Sequence, residues 1–231
     1  MTRVDILSPH YDDAVLSCWN QIEQPGSQVI TLFGGAPAEN AHGVWDRVST
    51  HMGGSDTVQI RREENHAALE NTGATALNLN FLDRQYSPFK QRNVLEMADT
   101  VDDLLVGNTQ LVAALGLGIY LRQHPDHTAT RKVALELAQR GRNVAFFADI
   151  PYMLPARNFD RWPERISVER VKRALNSDVV IEPRKLSAEQ QQRKRIAVQR
   201  FESQLPMVNR LALGALSRAG AYKWEALIRL V

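Results

Sequence analysis

Short apolar runs alternate along the chain with stretches in which apolar residues recur every three or four positions. Residues 4–7, 29–33, 111–115, 144–147 and 179–181 are short, mainly apolar runs, interrupted only by Asp5 and Thr31 and bounded by Gly, Pro or polar residues; they read as buried strands. Helical periodicity falls at 13–22, 61–72, 93–106 and 128–140. In the last of these Val133, Ala134, Leu137 and Ala138 share one face, Thr128 is a candidate N-cap and Gly141 a C-terminal stop. Strand then helix, repeated, predicts an α/β sandwich with a largely parallel sheet. Two stretches carry neither period. Residues 34–58, with His42, Trp45 and His51, and residues 151–163, with Tyr152, Phe159 and Trp162, read as long loops whose aromatics either wall a cleft or pin the loop to the core.

Composition narrows the class. With 231 residues, 44% hydrophobic and 23% charged, the chain is expected to form one globular domain over 1–231. A net charge of +2 argues against a nucleic-acid binder. Arg184, Lys185, Arg193, Lys194, Arg195 and Arg200 cluster near the C-terminus, and this cluster reads as the solvated face of a helix. The single cysteine, Cys18, excludes an intramolecular disulfide and reads as a buried thiol. No segment approaches the roughly 18 apolar residues of a membrane span, and the first residues lack a small-residue cleavage site, so a cytoplasmic protein without a membrane partner is expected.

The chemistry is concentrated in two places. The sequence SPHYDD, residues 8–13, follows the first expected strand and opens the first helix; QHPDH, residues 123–127, lies between a later strand and the 128–140 helix. In an open α/β sheet both would sit at the carboxyl ends of strands, where ligands bind. His10 with Asp12 or Asp13, and a histidine from the second loop, would supply the three protein ligands of a catalytic zinc. Adjacent Asp12 and Asp13 point in different directions, so one can hold a metal while the other acts as general base on a water. His124 and His127, three apart around Pro125, divide similarly between a ligand and a group acting on substrate. A purely structural alternative has Asp12 or Asp13 capping the first helix.

SPHYDDAVLS and HPDHTAT together resemble the two signature motifs of the PIG-L/LmbE family of N-acetylglucosaminyl deacetylases and related zinc amidases. Weaker matches follow in order: Arg61-Arg62-Glu63-Glu64, Phe81-Leu82-Asp83-Arg84 and Ser203-Gln204. The resemblance implies a Rossmann-like sandwich with helices on both faces of the sheet. It implies zinc as cofactor, held by His10, Asp13 and His127, with Asp12 as general base. His124 would polarise the amide carbonyl or stabilise the oxyanion, oriented by Asp126, and Arg61 and Asp83 would match sugar-binding positions. The implied reaction removes an N-acyl group, acetyl above all, from an amino sugar or its conjugate, a small-molecule substrate. Tyr11 stands where the family often has proline and Ala14 where it often has glutamate. The rivals are a zinc amidase acting on a thiol conjugate or natural-product intermediate, and a non-catalytic binding protein that uses the basic C-terminal helix.

Other features read more plainly. His42, His51 and His66 lack a partner at ligand spacing and are expected on the surface or in loops; Trp19 and Trp224 are expected to pack. Ser17 lacks flanking glycines, which argues against a serine nucleophile. Leu211, Leu213, Leu216 and Ile228 suit either the core or a subunit contact.

Overall fold

The computed structural model describes residues 3–39, 41–50, 52–87, 92–118, 124–155 and 158–231. Strands β1 (Val4–Ser8), β2 (Gln28–Thr31), β3 (Thr75–Asn78), β4 (Gln110–Ala114), β5 (Val144–Phe147), β6 (Val179–Lys185) and β7 (Trp224–Leu230) form one sheet in the order β3-β2-β1-β4-β5-β7-β6. The first five strands in that order run parallel; β7 is antiparallel to β5, and β6 to β7. β1 and β5 are buried along their whole length, as strands covered on both faces must be. The chain order reverses between β1 and β4, so their carboxyl ends flank the crevice where such sheets bind ligands.

Helices α1 (Asp13–Ser17), α2 (Trp19–Ile22), α3 (Val44–Ser49), α4 (Gly54–Leu69), α5 (Val94–Asp102), α6 (Pro125–Gln139), α7 (Val168–Leu175), α8 (Ala188–Val198) and α9 (Leu205–Leu211) cover this sheet. α5 packs on α6, while α8 packs on α1, α2 and α4, giving the expected layer on each face. Among the described residues no helix is long and apolar enough to cross a membrane.

Several elements depart from the sequence reading. The 13–22 helix breaks at Cys18, because the backbone N–H groups of Trp19 and Asn20 donate to the Glu225 carboxylate at 2.7 and 3.1 Å. The expected loop 34–58 contains α3 and the first turn of α4, which starts at Gly54 because Thr57, Val58 and Arg61 are buried. Gly54 is required there: a Cβ would lie 2.7 Å from Pro37 Cγ and 2.9 Å from the Ala41 carbonyl. β3 and β7 were not expected. The first is short and half-exposed at an edge; the second, WEALIRL, is rich in helix formers, and pairing between β5 and β6 overrides that propensity.

The basic cluster is not one solvated face. Arg184 and Lys185 end β6, Arg193 pairs with Glu23, and Lys194 is buried with its Nζ 2.7 Å from Glu225 Oε1. Cys18, Trp19, Leu216 and Ile228 are buried, whereas Leu211 and Leu213 are exposed. Half-exposed Trp224 packs against the core, and His42 and His66 are exposed; His51 lies outside the described residues.

Candidate metal centre

His10 to Asp13 connect β1 to α1, and His124 to His127 open α6 on the far side of the reversal point. The second motif is not a loop preceding a helix at Thr128. Pro125 occupies the first helical position, its fixed φ suited to that place, and His124 is the N-cap, its Nδ1 accepting the Asp126 N–H at 3.2 Å. Asp126 and His127 therefore project from a rigid first turn. The rings of His10, His124 and His127 meet with centroids 5.0–5.5 Å apart. They offer nitrogens within 4.8 Å of one another.

Asp13 lies among these rings. Its Oδ2 is 3.2 Å from His10 Nδ1 and 3.2 Å from His127 Nε2, and it accepts the His10 backbone N–H at 2.9 Å. Asp12 takes the N-cap position of α1 but makes no side-chain cap bond, so helix capping does not account for either carboxylate. Burial and the neighbouring Asp13 charge push Asp12 up to about 7, while Asp13 is held far below the usual carboxylate range, its burial outweighed by His127 and His10.

The far nitrogen of each ligand candidate rests on a buried carboxylate. His127 Nδ1–H donates to Asp149 Oδ1 at 2.7 Å, and Asp149 Oδ2 accepts the Gly116 N–H at 2.7 Å. His10 Nε2 lies 3.3 Å from Asp126 Oδ2, which also accepts the Arg84 N–H at 2.8 Å; Arg92 clamps the other oxygen. Asp126 thus orients His124 through its backbone N–H, whereas its carboxylate serves His10, a different division of labour from the one expected. Burial opposes the charged form of His127, yet Asp13 and Asp149 overcome it and raise the ring to about 9. His124 goes the other way, to about 4, through burial and the positive neighbours His10 and His127.

The donor set fits zinc. His127 Nε2 is buried and, despite its 3.2 Å approach to Asp13, forms no hydrogen bond. An orphaned imidazole nitrogen beside a carboxylate and a second imidazole, with its tautomer set from behind, is the arrangement a zinc ligand needs.

A cavity of about 230 Å3 opens beside these groups, and His10, Asp12, Asp13 and His124 are among its lining residues. Arg61 and Asp83 also line it. The buried Arg61 guanidinium reaches Asp46 and Ser49 of α3 at 3.3 and 3.4 Å, and both Asp83 oxygens hold Gln85. Trp45 and Tyr152 wall the cavity, Tyr152 with its ring edge-on to His127, while Phe159 and Trp162 are buried pins; each long segment contains what it was expected to contain in one alternative or the other. The weak matches at Glu64 and Ser203-Gln204 form one contact: Glu64 accepts from Ser203 N and Oγ at 2.6 and 2.8 Å and from Gln204 Nε2 at 3.3 Å.

Trp45 and Tyr152 stand among the aromatics that the sequence offers as cleft walls, whereas Asp149 and Arg92 belong to no motif. Asp149 still carries a signal, a carboxylate two residues beyond the end of a strand on the crevice side.

A family model described as PIG-L, GlcNAc-PI de-N-acetylase, matches residues 6–138. No curated protein sequence matches the chain. Among solved structures, the chain is similar to a triple mutant of a deacetylase from the teicoplanin biosynthetic pathway, at 25% identity and TM-score 0.76, over 100% of this chain and 98% of that one. It is similar to the deacetylase–teicoplanin complex at 24% identity and TM-score 0.72, over 99% and 98%. The N,N'-diacetylchitobiose deacetylase of Pyrococcus horikoshii shares the fold at 14% identity and TM-score 0.55, over 99% and 84%.

Proposed function

Because the chain belongs to the PIG-L family of de-N-acetylases, we propose that His10, Asp13 and His127 hold its zinc ion and that Asp12 and His124 carry the hydrolysis of an N-acyl amino sugar. The observation that carries this reading is the orphaned Nε2 of His127, backed by Asp149 and facing Asp13. Bound among these residues, zinc supplies Lewis-acid polarisation of the amide and acidifies the attacking water.

The chain's own groups do the rest. Asp12, whose burial raises its affinity for a proton, accepts one from the attacking water and returns it to the departing amine. His124 stays neutral, and because its Nδ1 already accepts the Asp126 N–H, its proton sits on Nε2, a donor for the negative charge that grows on the carbonyl oxygen. Asp126, clamped by Arg92 and the Arg84 N–H, keeps the His10 ring in place. Arg61 and Asp83, on the cavity wall, face the sugar. One C–N bond breaks and one C–O bond forms, leaving a carboxylate and a free amine. The deacetylases of similar structure, for teicoplanin and diacetylchitobiose, support an amino-sugar conjugate as substrate.

The test pairs zinc content, by mass spectrometry, with acetate release from N-acetylglucosaminides. Wild type should carry near-stoichiometric zinc and release acetate; His127→Ala should lose both. Asp12→Asn should keep its zinc and lose at least about 10²-fold in kcat. Equal, negligible zinc in wild type and His127→Ala would overturn the reading and leave a binding protein of the same fold.

A further inference from the structure

A tyrosine hydroxyl drawn away from solvent normally finds a hydrogen-bond partner, because leaving it unpaired forfeits the bond it had with water. Three described tyrosines follow that rule: the hydroxyls of Tyr11, Tyr86 and Tyr222 donate to the carbonyls of Gly34, Gly54 and Leu216 at 2.9, 3.5 and 2.8 Å. Tyr152 departs from it. Among the described residues its hydroxyl makes no hydrogen bond, and its side chain lines the same cavity as His10, Asp12 and His124. Phenylalanine would fill the same space, so packing does not account for the hydroxyl.

The side chain is held against the histidines. Its ring stands edge-on to His127 with centroids 4.6 Å apart, and the His124 ring is 5.5 Å from His127. One turn carries both the carboxylate that supports His127 and the tyrosine beside it. The Met153 N–H donates to the Asp149 carbonyl at 2.8 Å, the Leu154 N–H to that of Pro151 at 3.1 Å, and the Ile150 N–H to Ser17 Oγ at 2.9 Å. Met153 and Leu154 are buried, which anchors the turn. For hydrolysis the amide must come to Asp12 and His124, so the amide is the part of the substrate that approaches a hydroxyl fixed against His127. A phenol, with a pKa ordinarily about 10, is protonated near neutral pH and can donate. The amide carbonyl oxygen is an acceptor, and it strengthens as negative charge grows on it.

We infer that Tyr152 is a further catalytic residue of this site: its hydroxyl donates to the carbonyl oxygen of the N-acyl group, as a second donor beside His124, and stabilises the charge that develops there when water adds. The inference rests on the N-deacetylase reading above. It adds to the reaction a group that belongs to neither of the two sequence motifs.

The test measures kcat and KM of zinc-loaded wild type and Tyr152→Phe for methyl N-acetylglucosaminide and for its N-trifluoroacetyl analogue, whose more electrophilic carbonyl depends less on outside donors. Tyr152→Phe should keep the zinc content and melting temperature of wild type and lose about 10²-fold in kcat for the acetyl substrate, with KM within about threefold. For the trifluoroacetyl substrate the loss should shrink to about tenfold or less. An unchanged kcat overturns the inference and leaves Tyr152 as a packing residue. A rise in KM alone, or an equal kcat loss on both substrates, also overturns it, since the hydroxyl would then serve the sugar. Loss of zinc from the variant overturns it as well, because the side chain would then act through His127. If zinc-loaded wild type hydrolyses neither substrate, the deacetylase reading fails and this inference fails with it, an outcome read on wild type alone.

Discussion

Asp149→Asn separates a histidine that merely packs from one held ready for a metal. Asp149 Oδ1 takes the Nδ1–H of His127 at 2.7 Å, and the two side chains are 1% and 2% exposed, so no solvent water can replace that bond. Its other oxygen accepts the Gly116 N–H at 2.7 Å. Asparagine keeps the shape and, with its carbonyl toward Gly116, keeps that second bond. Its amide group then faces His127 Nδ1 as a donor, so the neutral form of the ring that a metal needs carries its proton on Nε2, the nitrogen turned toward Asp13. Loss of such an outer partner weakens zinc binding by about 10–100-fold, or ~1.4–2.7 kcal/mol, and the dryness of this pair places the expected loss in the upper half of that range. Competition against a chromophoric zinc chelator at pH 7.5 reads the affinity, and a thermal melt of the metal-free variant checks that the fold persists. A folded Asp149→Asn protein that binds zinc within threefold of wild type would show that Asp149 does not set the His127 tautomer.

Three further outcomes follow from the same geometry. With its pKa raised to about 9, His127 in the metal-free protein is protonated at pH 7, so zinc binding should release at least one proton. Calorimetric heats should therefore vary with buffer ionisation enthalpy, apparent affinity should climb up to pH 9, and the stability His127 gives the metal-free fold, present below 6.5, should be lost by pH 9; heats independent of buffer would contradict this. Lys194→Met strands the buried Glu225 carboxylate and should cost about 3–5 kcal/mol in chemical denaturation, with a loss under about 1 kcal/mol counting against the pairing. Gly116 has φ of +61° and would place a Cβ 2.3 Å from the His127 carbonyl; Gly116→Ala should thus displace the first turn of α6 and lower both the melting temperature and zinc affinity, and an unchanged melt would refute it.

The sheet was legible wherever a strand was buried on both faces, because such strands spell continuous apolar runs: β1, β2, β4 and β5 fall within two residues of their expected bounds, and the start of β6 was found as well. The edge strand β3 and the inserted β7 carry no such run. Glu225 shows why β7 was opaque. A glutamate in WEALIRL reads as a solvated helix position, whereas here it is buried, stops the first helix by taking the Trp19 and Asn20 N–H groups, and binds Lys194. Each of those partners is more than 30 residues or about 200 residues away in the chain, so local periodicity has no access to it.

The site divides along the same line. His10, Asp12, Asp13, His124 and His127 could be picked out because their spacing within two short motifs is itself the signal, and the sheet then had only to bring those motifs together across the β1–β4 reversal. What turns the histidines into ligand candidates is less local. Asp149 reaches His127 from beyond β5, and Arg92 reaches Asp126 from just ahead of α5. Neither residue belongs to a motif, and each acquires its meaning only when strand order is known. Asp126 meets its expected partner His124 only through its backbone N–H, because the helix cap sends its carboxylate across the crevice to His10. A motif therefore identifies the candidate ligand atoms, and the fold decides which nitrogen of each ring is free to meet a metal.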